Sequence, residues 1–146
     1  MTDWDQRFLS LAEFISGWSK DPSTKVGCVI ADQNHRIVSL GYNGLPVGVS
    51  DTSERLNTRE LKLAITVHAE TNAILFAGNV KGFSLYVWPL PPCSHCAAKI
   101  IQAGIARVVS VSPTAEQVSR WGESNNLAIE LFKEVGIEYS ELCRRD

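Results

Sequence analysis

His68-Ala69-Glu70, followed by Pro92-Cys93-Ser94-His95-Cys96, constrains this chain more than any other feature. One histidine and two cysteines offer three ligands to a soft or borderline metal such as zinc. Three protein ligands leave a fourth position for water, the pattern of a catalytic rather than a closed structural site. Glu70 stands two residues from the histidine, close enough to reach that water and badly placed to ligate. A Cys-x-x-Cys pair at a helix start turns both sulfurs to one ion, and the helix N-terminus favours thiolates. The fold must therefore bring the starts of two segments, one at His68 and one at Cys93, to a single point.

Each element has a plainer explanation. A lone Cys-x-x-Cys is often half of a structural zinc site or a redox pair, and a helical histidine is usually a surface or core residue. A redox role expects a thioredoxin-like context, which is missing. A four-ligand structural zinc needs a partner, and Cys28, His35, His95 and Cys143 are the spares, with no second Cys-x-x-Cys among them. The ordered combination, with a proline before the first cysteine and a strand-like run between the motifs, favours catalysis.

Hydrophobic periodicity organises the rest. Trp4 to Trp18 reads as an amphipathic helix with Phe8, Leu11, Ala12, Ile15 and Trp18 on its core face. Residues 19–24 read as a loop. Lys25–Ala31 and Arg36–Tyr42 read as a strand hairpin, ending in the Gly-rich stretch Gly41–Pro46. Val47–Arg59 reads as a long polar loop, and Leu61–Ile65 as either a helix start or a direct lead into the next helix. Val67–Ala77 is expected to be a helix carrying His68 and Glu70 in its first turn, with Ala73, Ile74 and Ala77 inward. Ser84–Trp88 is a strand, and Ala97–Ala103 continues the Cys93 helix with Ile100 and Ile101 buried. Arg107–Val111 is a strand and Glu116–Trp121 a short helix or turn. Asn125–Val135 is a helix with Leu127, Ala128, Leu131, Phe132 and Val135 inward. Gly136 stops it before a last strand, Ile137–Tyr139. This order predicts an α/β fold, a three-layer α/β/α sandwich around a mixed five-stranded sheet, as one domain over residues 1–146.

Composition narrows the partners. A net charge of −2 argues against a nucleic acid polymer, whose binding surfaces are usually basic. The polar start MTDWDQRF is no signal peptide, and no apolar run reaches membrane-spanning length, so no membrane partner is expected. Four cysteines, two of them on a metal, fit a reducing compartment. The expectation is a cytoplasmic protein, or one of a host cytoplasm if phage-encoded. Cys28 and Cys143 read as structural or incidental.

The H-x-E…P-C-x-x-C pattern is a signature of zinc-dependent nucleobase deaminases. The chain as a whole resembles the deoxycytidylate (dCMP) deaminases of the cytidine deaminase superfamily, phage and bacterial members included. Four segments carry the resemblance: Ser19-Lys20-Asp21-Pro22-Ser23-Thr24-Lys25-Val26-Gly27, Gly41-Tyr42-Asn43-Gly44, His68 to Ile74, and Pro92 to Ala97. The two zinc motifs identify the superfamily, and the first two segments point to the monophosphate enzyme. The sequence departs from the pattern at Trp88, where a small Thr or Ser is common, in the stiff Pro89/Pro91/Pro92 stretch, and in residues 51–67, which lack a Tyr-Pro-Tyr-like approach to the histidine.

The resemblance implies hydrolysis of dCMP to dUMP and ammonia, supplying dUMP for thymidylate synthesis. Its cofactor is Zn2+ on His68, Cys93 and Cys96, with Glu70 moving protons between water, N3 of the ring and the departing amine. It implies activation by dCTP, inhibition by dTTP, and homo-oligomers built from dimers, often hexamers. Asn43 is expected at a sugar hydroxyl, Ser23, Thr24 and Lys25 at the 5′-phosphate, and Ala69 beside the substrate. Gly41, Tyr42, Gly44 and Leu45 are expected at the effector, with Arg55 and Arg59 for its triphosphate. Arg120 and Trp121 are expected to cap the pocket. An Asn before Gly is equally a turn residue, Lys25 equally a solvated strand end, and Arg120 with Trp121 equally a surface and a core residue. Two competing functions stay open: a deaminase of another base (5-substituted dCMP, free deoxycytidine or an RNA base), and a non-catalytic zinc-stabilised binding module.

Overall fold

In the computed structural model, which describes residues 2–143, α1 (Asp3–Ser16) opens with a capping box. The Thr2 hydroxyl accepts from the Asp5 amide, and the Asp5 carboxylate accepts from the Thr2 amide at 2.9 Å, satisfying two donors that a helix start leaves bare. Phe8, Leu9, Ala12 and Ile15 form its buried face. Gly17 caps the helix, so Trp18 falls beyond it, is 55% exposed, and meets Phe14 and Tyr42 edge-on instead of joining the core as expected.

The hairpin forms as β1 (Gly27–Ala31) and β2 (Ile37–Tyr42). The 47–59 stretch is not one loop: α2 (Ser53–Asn57) starts on a Thr52 cap, and α3 (Arg59–Ile65) follows almost at once. Thr66 ends α3, and Val67 pairs across to Gly44 in an isolated bridge, so the next helix, α4 (Ala69–Ala77), is a separate element with His68 as its N-cap. After β3 (Ser84–Trp88) comes α5 (Ser94–Gln102), N-capped by Cys93. Then follow β4 (Arg107–Val111), α6 (Ala115–Val135) and β5 (Glu138–Leu142).

α6 merges the short helix or turn expected at Glu116–Trp121 with the helix expected at Asn125–Val135. Gly122, Ser124, Asn125 and Asn126 are weak helix formers, which is why the pattern reads as a break. The helix runs through because a Thr114/Gln117 capping box starts it and because Ser124 and Asn125 find partners on a neighbouring segment. Asn125, Ala128 and Phe132 set its buried stripe, which turns Leu127 (46% exposed) and Val135 (51% exposed) outward, against expectation. Gly136 ends it in the left-handed conformation, and β5 starts later and runs longer than expected.

The sheet order is β2-β1-β3-β4-β5. β1 is antiparallel to both neighbours, while β3, β4 and β5 are mutually parallel. The expected mixed five-stranded sheet between helical layers is what forms. Alternation along the strands divides the core. Val29, Ala31, Tyr86, Val109 and Val111 pack under α1. Cys28, Ile30, Leu85, Val87 and Val108 face the other layer, where Ala69 and Ala73 of α4, Ala97 and Ile100 of α5, and Ala128 and Phe132 of α6 cover them. Gly41 lets β2 approach α4 closely: a Cβ there would lie 2.6 Å from the Ala73 nitrogen.

The topology places the functional ends together. Gly27 of β1 pairs with Tyr42 at the end of β2 and with Trp88 at the end of β3. The chain leaves both strand ends on the same edge and returns as α4 and α5. Their N-termini meet outside the carboxyl ends of parallel strands, where open α/β sheets bind ligands.

Asp5 ties the first helix to the face of the sheet beneath it. Its 1%-exposed carboxylate accepts from both terminal nitrogens of the Arg107 guanidinium, at 2.6 and 2.7 Å, and from the Tyr86 hydroxyl at 3.2 Å. The Arg107 hydrogen bonds outweigh burial and hold the carboxyl at about 2, below its ordinary 3.8. A carboxyl depressed in the fold stabilises it above the ordinary carboxyl range and ceases to as pH falls through about 2. A difference of this size is worth on the order of 2 kcal/mol. Asp5→Asn is expected to lose that amount at pH 6, and urea unfolding of both proteins between pH 5 and 2 is expected to show the gap closing.

Candidate metal centre and cavity

Each ligand sits at the start of a helix. His68 caps α4, and its Nδ1 lies 3.4 Å from Cys93 Sγ and 3.2 Å from Cys96 Sγ. All three ligand atoms lie within 4.8 Å of one another. Tetrahedral zinc with ordinary Zn–S and Zn–N bonds would hold its sulfur and nitrogen ligands about 3.5 Å apart, so the set closes on a zinc ion with little adjustment. The Cys96 amide points at Cys93 Sγ, 3.4 Å away, and the Thr71 hydroxyl lies 3.7 Å from Cys96 Sγ.

The charge balance of the cluster asks for a cation. The Cys93 thiol is pushed far below the ordinary thiol range by its hydrogen bonds with Cys96 and His68. The Cys96 thiol is pushed the other way, first by its bond to Cys93 and then by burial. His68 is raised, chiefly by the Cys93 sulfur. Two sulfurs cannot both ionise here beside a carboxylate unless a positive ion joins them. Glu70, 5% exposed, is raised to about 7, mainly by burial and then by the Cys93 sulfur. It belongs to no metal-holding group among the described residues, whereas His68, Cys93 and Cys96 do.

The cluster forms the floor of a cavity of about 330 Å³, large enough for a small nucleotide-sized ligand. Ala69, fully buried at the first position of α4, lines it with Glu70, Leu90 and Pro91. Ser23, Thr24 and Asn43 form one wall, and Arg59, Leu63, His95, Arg120 and Trp121 also line it. Arg59 lies 6.0 Å and Arg120 5.5 Å from the Trp121 ring centre, so a cation–π group joins α3 to α6.

Not every expected residue reaches the cavity. The Lys25 ammonium bonds to the Ser19 carbonyl, and Lys25 is not among the lining residues. Asn43 spends its side chain on bracing: Oδ1 accepts from the Val26 amide at 2.8 Å and Nδ2 donates to the Thr24 carbonyl at 2.9 Å. Its other atoms leave it on the cavity wall. Arg59, expected at a separate effector site, lines the metal cavity, while Arg55 bonds to the Ser50 carbonyl. Tyr42, Gly44 and Leu45 line a smaller cavity of about 150 Å³, and Gly41 is buried beneath α4.

Several residues of the site give no sequence signal. Lys62 is buried and pairs with Asp21 at 3.0 Å, in a wall common to both cavities. Burial raises the Asp21 carboxyl, but the Ser23 and Thr24 amides and Lys62 outweigh it and hold it below the ordinary value. Ser124 falls where the helical pattern reads as broken, and Asn125 where the second helix is expected to begin. His95 is visible in sequence only as a spare metal ligand.

Residues 2–112 match the family model described as the cytidine and deoxycytidylate deaminase zinc-binding region. A deaminase of Aliivibrio fischeri described as uncharacterised, in the luxG 3′ region, is 46% identical over 143 residues, covering 97% of this chain and 95% of that one. The deoxycytidylate deaminase of Mus musculus is 38% identical over 94% of this chain and 78% of its own. A crystal structure of dCMP deaminase from the cyanophage S-TIM5, in complex with dCMP and dUMP, shares the fold with a TM-score of 0.75 at 22% identity, over 97% of this chain and 99% of that one.

The ligand roles are testable directly. His68→Ala and Cys93→Ala are each expected to purify without stoichiometric zinc by metal analysis. Glu70→Gln is expected to retain zinc while losing about 10²- to 10⁴-fold in turnover, the usual worth of a placed general acid–base. Loss of the metal in Glu70→Gln would make the glutamate a ligand and overturn its separate role.

Proposed function

This chain belongs to the cytidine and deoxycytidylate deaminase family, and on that premise we propose that it deaminates dCMP to dUMP and ammonia. One observation carries the choice of substrate: the cavity above the metal ligands carries Arg59 and Arg120 although the chain is acidic overall. A cationic lining suits a nucleotide dianion and has little to offer an uncharged nucleoside.

His68, Cys93 and Cys96 would hold the zinc. When bound there, the ion supplies a water acidified toward neutrality. Glu70 then handles protons. It takes one as water adds to C4 of the cytosine ring, and delivers it to N3. It next takes the proton of the hydroxyl now on C4 and passes it to the 4-amino group, so the C4–N bond breaks, ammonia leaves, and C4 becomes the carbonyl of uracil. A carboxyl whose burial lifts it toward neutrality suits both directions of transfer. Ala69 and Leu90 exclude water around the base. Asn43 takes the sugar side of the pocket, and Ser23 and Thr24 offer hydroxyls to the phosphate beside the cationic lining.

Activation by dCTP, inhibition by dTTP, assembly of dimers into larger homo-oligomers, a cytoplasmic setting and supply of dUMP for thymidylate synthesis are part of the same proposal. The cavity along Tyr42, Gly44 and Leu45 supports an effector role, because it shares Asp21, Asn43, Lys62 and Thr66 with the metal cavity. Arg55 is the residue left for an effector's phosphates.

Ammonia release from dCMP, deoxycytidine and 5-methyl-dCMP, each with and without dCTP, tests the reading. Turnover of dCMP and not of deoxycytidine is expected, and Arg120→Ala is expected to raise KM for dCMP about tenfold or more with little change in kcat. Preference for deoxycytidine would overturn the role of the cationic lining.

A further inference from the structure

Two side chains of α6 clamp the turn that carries the first cysteine, from both sides. Asn125 Nδ2 donates to the carbonyls of Pro91 and Pro92, at 3.0 and 3.1 Å. Ser124 Oγ accepts the Ser94 amide at 2.8 Å and lies 3.1 Å from the Ser94 hydroxyl. The carbonyls just before Cys93 and the amide just after it are therefore all fixed by one helix.

The Asn125 amide is spent on this turn at a cost. Both of its hydrogens go to the two carbonyls, and Oδ1 is left buried with no hydrogen-bond partner among the described residues. An unmatched buried acceptor costs about 1–3 kcal/mol. A residue kept only to fill that space would do better as an apolar side chain, so what Asn125 contributes is its pair of donors. Their targets are the last two residues before Cys93, in a stretch whose prolines have no amide to anchor it to a neighbour.

We propose that Ser124 and Asn125 are positioning residues for the metal centre, setting the direction in which the Cys93 sulfur faces His68 and Cys96. They act through the turn and touch no metal. The same helix carries Arg120 and Trp121 one turn earlier on the cavity lining. The clamp thus joins the substrate-facing part of α6 to the metal ligand. This rests on the His68/Cys93/Cys96 cluster being the zinc site.

Zinc affinity by chelator competition, and the visible spectrum of the cobalt(II)-substituted protein, test it in Asn125→Ala, Ser124→Ala and the conservative Ser124→Thr. Partners of this kind typically contribute 10- to 100-fold to metal affinity. Asn125→Ala and Ser124→Ala are expected to weaken zinc binding by such a factor and to shift the cobalt bands. Ser124→Thr, which keeps the hydroxyl, is expected to restore both. A purely structural role predicts lower thermal midpoints for the alanine variants with wild-type zinc affinity and cobalt spectra, and that result would overturn the proposal. If Asn125→Ala fails to fold, Ser124→Ala decides alone, because its partly exposed hydroxyl leaves no buried gap. Failure of the wild-type protein to bind zinc would instead strike the metal site itself.

Discussion

Two sulfurs, an imidazole and a buried carboxylate crowd into one small space, and a cation is what lets them coexist. The shifts run in opposite senses within the cluster: Cys93 is driven toward thiolate while Cys96 and Glu70 are driven toward their protonated forms. Such a group is costly to bury without a partner of opposite charge. The architecture is arranged around that requirement. One antiparallel strand, β1, lies between β2 and β3, so their ends are only two strand spacings apart and the two helices that follow those strands can converge. Gly41 removes the side chain that would hold α4 off β2, and the ligands sit at helix starts, where amide dipoles favour anionic sulfur.

Much of this fold could be read from alternation and spacing. The buried strand Gly27–Ala31 is a short apolar run and Arg107–Val111 is rich in valine, and helices α4 and α5 are announced by the ligands they carry. The misreadings come from short-range stops and caps at some places and from tertiary contact overriding local preference at others. Trp18 keeps the helical period of α1, but Gly17 stops the helix first. The middle of α6 looks like a break because Gly122, Ser124 and Asn125 are poor helix formers. Their partners lie some thirty residues away in the Pro91–Ser94 turn, beyond the reach of any local pattern. Residues 47–59 look like loop because the caps that organise α2 are ordinary threonines in a polar stretch.

The site divides along the same line. His68, Glu70, Cys93 and Cys96 are legible because metal chemistry demands those side chains at those spacings, whatever the fold. The cavity walls are not, since they depend on which distant segments meet. Asn43 illustrates the overlap: its amide braces residues 24–26, as a turn residue would, while the residue still lines the cavity. Lys25 is the opposite case, a cation in a suggestive segment whose ammonium is turned to the Ser19 carbonyl. The lysine that does line the cavity is Lys62, and its pairing with Asp21 spans 41 residues of sequence.

That pairing matters for how charge is distributed. The chain is net acidic, which counts against a polynucleotide. Charge for a single phosphate, on the proposed reading, needs only to be local, and α3 and α6 bring Arg59 and Arg120 to one cavity. Lys62 is largely neutralised by Asp21, so it contributes a rigid wall more than a free cation. Arg59 and Arg120 are held near the Trp121 ring, which orders two long side chains without cancelling their charge. Stacking on an aromatic face leaves guanidinium N–H groups available for a bidentate anion. A net negative protein can therefore place two arginines at the mouth of a cavity that has metal ligands in its lining, which is the arrangement the proposed mononucleotide substrate calls for.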